Sequence, residues 1–496
     1  MRRAQAKNAN VTPPSQQAVA PAAHGRADAS VAGPITPAVA ELVATEAIAR
    51  ERRLRQAPPG AARRRRFYIP LSVRVVLTFA AGLAWVCFSL WLSRHWIASL
   101  AQDISMPAAI LLVAGIALIP GYLNIQLLAS ILLDRAPPLR FDVSFPAITL
   151  LIAAFNEEAT IAATLDYVLR SDYPSDFEVV VVDDGSADRT PEIVAGYAKR
   201  DARVRLLAVE HGGKASALTA ALASVTSPLV ATIDADTLLM RYSLRRAVAR
   251  LLASPPDTVA VAGAVLVRNS RENLLTRAQE WDYFLGIASV KRGQALLQGT
   301  LVAQGAFSVY DTTALRLAGA WPNKIGEDIV LTWRMLCQGG RSVFEPTAVA
   351  FTAVPSNWRA FARQRRRWAR GMIEGLRDHG LSLLKLMNFY SHSVAGNFLF
   401  PFLDACFTFA FIPGVILALT GNFAIVGLMT LMVLPLNALL GGVMFMRQRH
   451  VFDAVSLKVR KNARGLLFYF FCYQFAMSPI SLSGHVLETV RARRVW

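Results

Sequence analysis

Five long, almost uncharged apolar runs constrain this chain more than any other feature. They lie at about Leu71–Ser93, Met106–Leu133, Ser393–Leu419, Phe423–Met446 and Leu466–His485. Each comes close to the roughly 20 apolar residues that a hydrocarbon core about 30 Å thick requires. Backbone in lipid must satisfy its own N–H and C=O groups, so each run is expected to be a helix. Pro413, Pro435 and Pro479 fall inside the last three runs and fit kinked spans packed on neighbours. The first run begins too far from the N-terminus for a cleavable signal peptide.

The charge balance agrees. Lys and Arg total 53 against 34 Asp and Glu, a formal +19, while 54% of residues are hydrophobic. The basic residues fall between apolar runs instead of clustering on one polar face, so a bilayer, and no nucleic acid, is the expected partner. By the positive-inside bias, Arg63–Arg66 and the cluster Arg447, Arg449, Lys458, Arg460, Lys461 and Arg464 should be cytoplasmic. Two spans then put the middle region in the cytoplasm too. Five spans would leave the basic Arg491, Arg493 and Arg494 on the other side, a conflict that a tilted, re-entrant or interfacial last segment would remove. Cys87, Cys337, Cys406 and Cys472 show no CxxC spacing and no His partners, which excludes a disulfide framework and a zinc site.

A chain of 496 residues exceeds one compact domain. The expected organisation is a disordered basic tail over 1–66, two transmembrane helices within 67–136, a soluble domain over 137–380, and about three transmembrane helices within 381–496 with a basic loop at 447–464. In the middle region, strands are expected at Ala147–Ala154, Phe177–Val182, Leu229–Ile233 and Val259–Val267, with helical spacing at Glu157–Arg170. Such alternation predicts an α/β fold with a mostly parallel sheet and ligands at the strands' carboxyl ends.

Carboxylates sit at those ends. Asp183 and Asp184 close one strand before Gly185, where they either meet a nucleoside donor or merely build an Asp-Gly turn. Asp234-Ala235-Asp236 closes another, and alternation puts both carboxylates on one side of the chain, suited to Mg²⁺ or Mn²⁺ against a diphosphate. Gly326-Glu327-Asp328 opens a helix; Asp328 is either a cap or a free carboxylate base. Gln364-Arg365-Arg366-Arg367-Trp368 lies on an amphipathic stretch that reads first as an interfacial helix. Arg367 could also neutralise a diphosphate and Trp368 stack on a sugar ring. Asp404, inside an apolar run, either lines a channel or sits near the interface or a helix cap.

In order, AAFNEE at Ala153–Glu158, VVDDGS at Val181–Ser186, HGGKASAL at His211–Leu218, DAD, GED and QRRRW are far more specific than any one alone. Together with the flanking spans, over about residues 70–490, they resemble the membrane-bound, processive family 2 glycosyltransferases, which include cellulose, chitin, hyaluronan and poly-N-acetylglucosamine synthases. The resemblance implies a GT-A type nucleotide-sugar-binding domain inserted between transmembrane helices. It implies that Ala153, Phe155, Glu157, Asp183, Asp184, Lys214 and Asp234 bind a UDP-sugar and that Asp236, with Asp234, holds the metal. Asp328 would be the base, and Glu327, Gln364, Arg367 and Trp368 would serve the acceptor and leaving group.

Gln304-Gly305-Ala306-Phe307 stands where cellulose synthases carry Phe-Cys-Gly-Ser, a departure that speaks against a cellulose product. The GED form is similar to that of chitin-oligosaccharide and hyaluronan enzymes. The LTWRM helix and the basic ARRVW end are more similar to bacterial poly-β-1,6-N-acetylglucosamine synthases. The implied activity is inverting, processive transfer of N-acetylglucosamine from UDP to a growing polysaccharide at the bacterial inner membrane, with room for a small accessory membrane subunit. Another β-glycan synthase or a single-transfer, lipid-linked sugar transferase is the alternative. A glycosidase has no use for D-x-D, and a channel or scaffold none for the carboxylates.

Overall fold

The structure is a computed structural model that describes residues 69–426, 433–458 and 461–492. The expected tail over 1–66, residues 427–432 of the fourth apolar run, Arg460 and the last four residues lie outside these. The described chain begins with two helices long and apolar enough to cross a membrane, α1 (Leu71–Asp103) and α2 (Met106–Leu133). Arg74 at the start of α1 donates to the Leu133 carbonyl at 3.4 Å, so the pair forms a hairpin with both outer ends on one side. Gly121 lies against the Trp85 indole with no room for a Cβ, the close approach that small residues permit between helices in lipid.

Eight strands form one sheet: β1 (Ile148–Ala154), β2 (Phe177–Asp183), β3 (Val204–Ala208), β4 (Leu229–Ile233), β5 (Leu238–Leu239), β6 (Thr258–Val267), β7 (Phe307–Asp311) and β8 (Arg341–Thr352). Their order is β3-β2-β1-β4-β7-β6-β8-β5. Period-two alternation divides β1 and β2 between two cores. Leu150, Ile152, Val179 and Val181 pack with Leu165 and Val248 on one face, while Leu151, Val180 and Val182 pack with Leu218 and Leu331 on the other. Covering both faces explains why these strands read as continuous apolar runs.

The sheet is mixed. β1, β2, β3 and β4 are parallel, but β7 runs antiparallel to β4 and β6, and β5 antiparallel to β8. β7 was not among the expected strands, because Phe-Ser-Val-Tyr is too short for its period to be told from a helical turn. Four helices matter below: α3 (Lys214–Leu222), α4 (Ser289–Leu296), α5 (Glu327–Cys337) and α6 (Trp358–Gly375).

After the sheet come α7 (Ser391–Leu419), α8 (Val433–Ala454) and α9 (Ala463–Thr489). Among the described residues α7 and α9 have spanning length and apolarity; the middle one of the three expected spans is described only from Val433 onward. Trp96 near the far end of α1 donates to the Ala424 carbonyl at 2.7 Å, joining it to the loop after α7. Asp404 joins α7 to α9, accepting from Ser478 at 2.8 Å and facing His485 Nε2 at 3.2 Å.

α9 follows α6 along its length. Trp358 meets Phe468, Phe361 meets Tyr473, Arg366 bonds Ser483 at 3.0 Å, and Glu488 pairs with Arg370 at 3.0 Å and with Arg377 at 3.2 Å. Glu488 is buried, so removing its carboxylate strands two guanidinium groups. Glu488→Ala should therefore cost about 3–5 kcal/mol of stability, read as a lowered unfolding temperature of the detergent-solubilised protein.

Candidate active site

Because β1, β2 and β4 are parallel, their carboxyl ends open on one edge and bring Ala153, Phe155, Glu157, Asp183, Asp184, Asp234 and Asp236 to it. Phe155 is exposed and stacks on His211 with ring centroids 4.3 Å apart. The Glu157 carboxylate accepts from Thr160 at 2.5 Å. Asp183 and Asp184 are both buried. Asp183 accepts from the Ser186 N–H at 3.3 Å, closing its own turn. Asp184 accepts from the N–H groups of Gly212 and Gly213, each at 2.9 Å, and faces His211 Nδ1 at 3.0 Å. Its oxygens thus hold the loop that delivers Lys214, the first residue of α3.

Lys214 joins the two halves of the crevice. Its ammonium bonds Asp234 and lies 3.9 Å from Glu327. Burial alone would lower its pKa, but the charges of Asp234, Glu327 and Asp328 outweigh that and hold it above the ordinary lysine value. Burial, then the charges of Asp234 and Glu157, raise Asp236, whose Oδ1 accepts from Thr352 at 3.2 Å and Thr237 at 3.3 Å. Asp234 and Asp236 supply two hard oxygen donors, and among the described residues Asp236 makes no ion pair. Among the described residues no cluster of three acidic, His or Cys side chains forms a metal cage. The pair fits a divalent cation that completes its shell with water and phosphate oxygens.

The second half is built on α5. Asp328 Oδ2 accepts from the Gly305 N–H at 3.4 Å, while Gly305 lies against the Lys214 ammonium, which a Cβ there would displace. Gly326, ahead of α5, meets Gly371 of α6 backbone to backbone. Buried Glu374 of α6 accepts from the N–H groups of Ile325 at 2.7 Å and Gly326 at 3.1 Å. These contacts set α6, which carries Gln364, Arg367 and Trp368, against the start of α5.

Arg367 lies close enough to act on Glu327 electrostatically. Gln364 Oε1 is buried without a hydrogen-bond partner. Trp368 packs with Tyr283, Val354 and Ala306, and the Arg365 guanidinium covers its ring at 4.2 Å. It faces the domain, with that cation against the ring. Sequence reasoning missed Arg365, paired with Asp282 at 2.9 Å, together with Glu374 and Lys291. Arg365 was visible only as one of three arginines in QRRRW.

Residues 149–317 match the family described as Glycosyl transferase family 2. The chain therefore carries a family 2 glycosyltransferase domain, and its mixed sheet has the GT-A form. The poly-beta-1,6-N-acetyl-D-glucosamine synthase of Staphylococcus aureus (strain COL) is 30% identical over 258 residues, 52% of this chain and 62% of that protein. An N-acetylglucosaminyltransferase of Bradyrhizobium diazoefficiens is 31% identical over 281 residues, 53% of this chain and 56% of its own length. The chain thus spans less than two thirds of these curated relatives. Among solved structures, a mannosyltransferase from Pyrobaculum calidifontis in complex with GDP-Man and Mn²⁺ is 18% identical with a TM-score of 0.48, covering 86% of this chain and 100% of that one.

Burial, then the charge of Asp328, pushes Glu327 up to about 7, against the pull of Lys214 and Arg367. A carboxyl group raised in this way favours the fold while protonated, and the benefit fades as pH rises through 7. Glu327→Gln should therefore raise stability at pH 8 by about 1–3 kcal/mol and leave it nearly unchanged at about pH 4, below the ordinary glutamate range. Chemical unfolding at the two pH values checks this.

Proposed function

We propose that this chain is an inverting, processive polysaccharide synthase, transferring N-acetylglucosamine from a UDP donor to a growing β-linked polymer at the bacterial inner membrane. The observation that carries the reading is the meeting of Asp234, Asp236, Lys214, Glu327 and Asp328 in one crevice beside the helix of Gln364, Arg367 and Trp368. The names of the curated relatives support N-acetylglucosamine as the sugar.

In this reading Glu157, with Phe155, Ala153 and the turn of Asp183 and Asp184, receives the nucleoside. A Mg²⁺ or Mn²⁺ ion held by Asp234 and Asp236 would supply charge neutralisation at the diphosphate. Asp328 takes the proton of an acceptor hydroxyl, whose oxygen attacks the anomeric carbon from the side opposite UDP. The bond to the diphosphate breaks, its electrons leave with UDP, and the configuration inverts. Arg367 meets the charge of the departing group. Glu327 keeps Lys214 between the diphosphate and the base, and Gln364 serves the acceptor side.

The domain lies on the cytoplasmic side, where UDP-sugars are made, and the polymer leaves among the apolar helices, since bare lipid rejects a saccharide. Because α9 lies along α6, which itself runs over the domain, the described chain ends at Ala492 beside Arg370. This supports a last helix that does not cross the bilayer and a cytoplasmic basic end. A small accessory membrane subunit is a compatible partner.

Inverted membrane vesicles with Mg²⁺ and labelled UDP-N-acetylglucosamine should yield a polymer that a linkage-specific hydrolase digests. Asp328→Asn should lower transfer by about 10²–10⁴-fold while UDP still binds. Asp236→Asn should lose transfer and metal-dependent UDP binding together. Use of UDP-glucose alone would overturn the sugar assignment, and single-residue products the processivity.

A further inference from the structure

Lys291 is enclosed in α4, remote in sequence from every motif. Its ammonium donates to the Val302 carbonyl at 3.0 Å, and among the described residues it makes no ion pair. Val302 belongs to a strap, residues 301–305, that runs from α4 toward β7 across the start of α5. Side chains from outside tie the strap residue by residue. Trp333 donates to the Leu301 carbonyl at 2.9 Å, Thr332 accepts from Ala303 at 3.0 Å, and Tyr310 donates to the Ala303 carbonyl at 2.8 Å. The strap ends on Gly305, which touches both Lys214 and Asp328.

The other ties are neutral. A neutral donor would fasten Val302 equally well, and an enclosed ammonium with one acceptor carries a desolvation cost that a neutral group avoids. The charge therefore has a use apart from the tie, and among the described residues the charged group whose field acts on Lys291 is Asp328. Arg292, the next residue, turns away to Asp134 at 2.9 Å. Burial pushes Lys291 down to about 7, against the pull of Asp328, so its charge is lost near neutrality.

Resting on the reading of Asp328 as the base, we infer that Lys291 is a positioning residue. It fastens the strap against Asp328, and its charge sets how strongly that carboxylate attracts the acceptor's proton. Below pH 7 the ammonium weakens the base; above it the amine is neutral and the base strengthens. Transfer should accordingly rise through pH 7.

Lys291→Gln keeps a donor and removes the charge, whereas Lys291→Met removes both. Both are assayed with UDP-N-acetylglucosamine in membrane vesicles beside Asp328→Asn. Lys291→Gln should transfer within about threefold of the parent at pH 8 and lack the rise near pH 7. Lys291→Met should lower kcat by about ten- to a hundredfold with KM for the donor unchanged. Donor hydrolysis should rise relative to transfer in Lys291→Met, because a loosened strap admits water. A Lys291→Gln profile that keeps the rise assigns it to another group such as Glu327 and overturns the charge role. A Lys291→Met enzyme with parental kcat and hydrolysis overturns the strap role. If Asp328→Asn itself transfers at the parental rate, the base reading fails, and it fails separately from both Lys291 outcomes.

Discussion

The crevice depends on one ammonium. Glu157, Asp234, Asp236, Glu327 and Asp328 converge there, and carboxylates this close raise each other's pKa and favour dispersal. Lys214 bonds one of them, lies within ion-pair reach of a second and feels the field of a third. Its placement is set by Asp184, whose two oxygens fix the Gly212-Gly213 turn immediately before α3. A buried carboxylate that touches none of the other acids thus determines where their counter-charge lies. Among the described residues Asp236 and Glu157 make no ion pair, and burial with the charge of Asp234 raises Asp236, so a metal there would relieve the repulsion.

How much of this was legible depends on where burial comes from. β1, β2 and β4 were readable because both faces of the sheet are covered, which leaves unbroken apolar runs ending in Asp or Asn-Glu. Asp234, Asp236 and Asp328 could be singled out because each stands where an apolar pattern starts or stops. Lys291, Arg365 and Glu374 could not. Each is buried by contacts outside its own helix, Lys291 by the Val302 strap that follows it and Glu374 by the Ile325-Gly326 backbone, and locally each reads as a solvated helix residue. The different partners of Asp183 and Asp184 were likewise beyond sequence, since both end the same strand and only the fold brings the Gly212-Gly213 turn to Asp184.

The apolar runs were the plainest signal and also the most easily overread. Length and hydropathy make α9 a span, yet its side chains Phe468, Tyr473, Ser483 and Glu488 are committed in order to α6. Among the described candidate spans α9 is also the least apolar, with a mean hydropathy of 1.3 against 2.1 for the other three, and its polar side chains are used on a basic amphipathic partner. The polar trio Asp404, Ser478 and His485 then bonds α7 to α9, where an unpaired carboxylate in lipid would be costly.

These contacts connect the membrane region to the chemistry through very few atoms. α9 holds α6 through Glu488; α6 holds the entry to α5 through Glu374 and the contact of Gly371 with Gly326; α5 carries Glu327 and Asp328. On the opposite side the strap fixes Gly305 against Asp328, anchored by α4, whose Arg292 reaches Asp134 at the end of α2. The proposed base is thus clamped between two paths that each begin at an apolar helix. A displacement of either helix set would move Gly326 or Gly305 relative to Asp328, with no flexible linker in between to absorb it. In the proposed reading, passage of a polymer among those helices would be felt at Asp328, a physical basis for coupling extension to transfer within one chain.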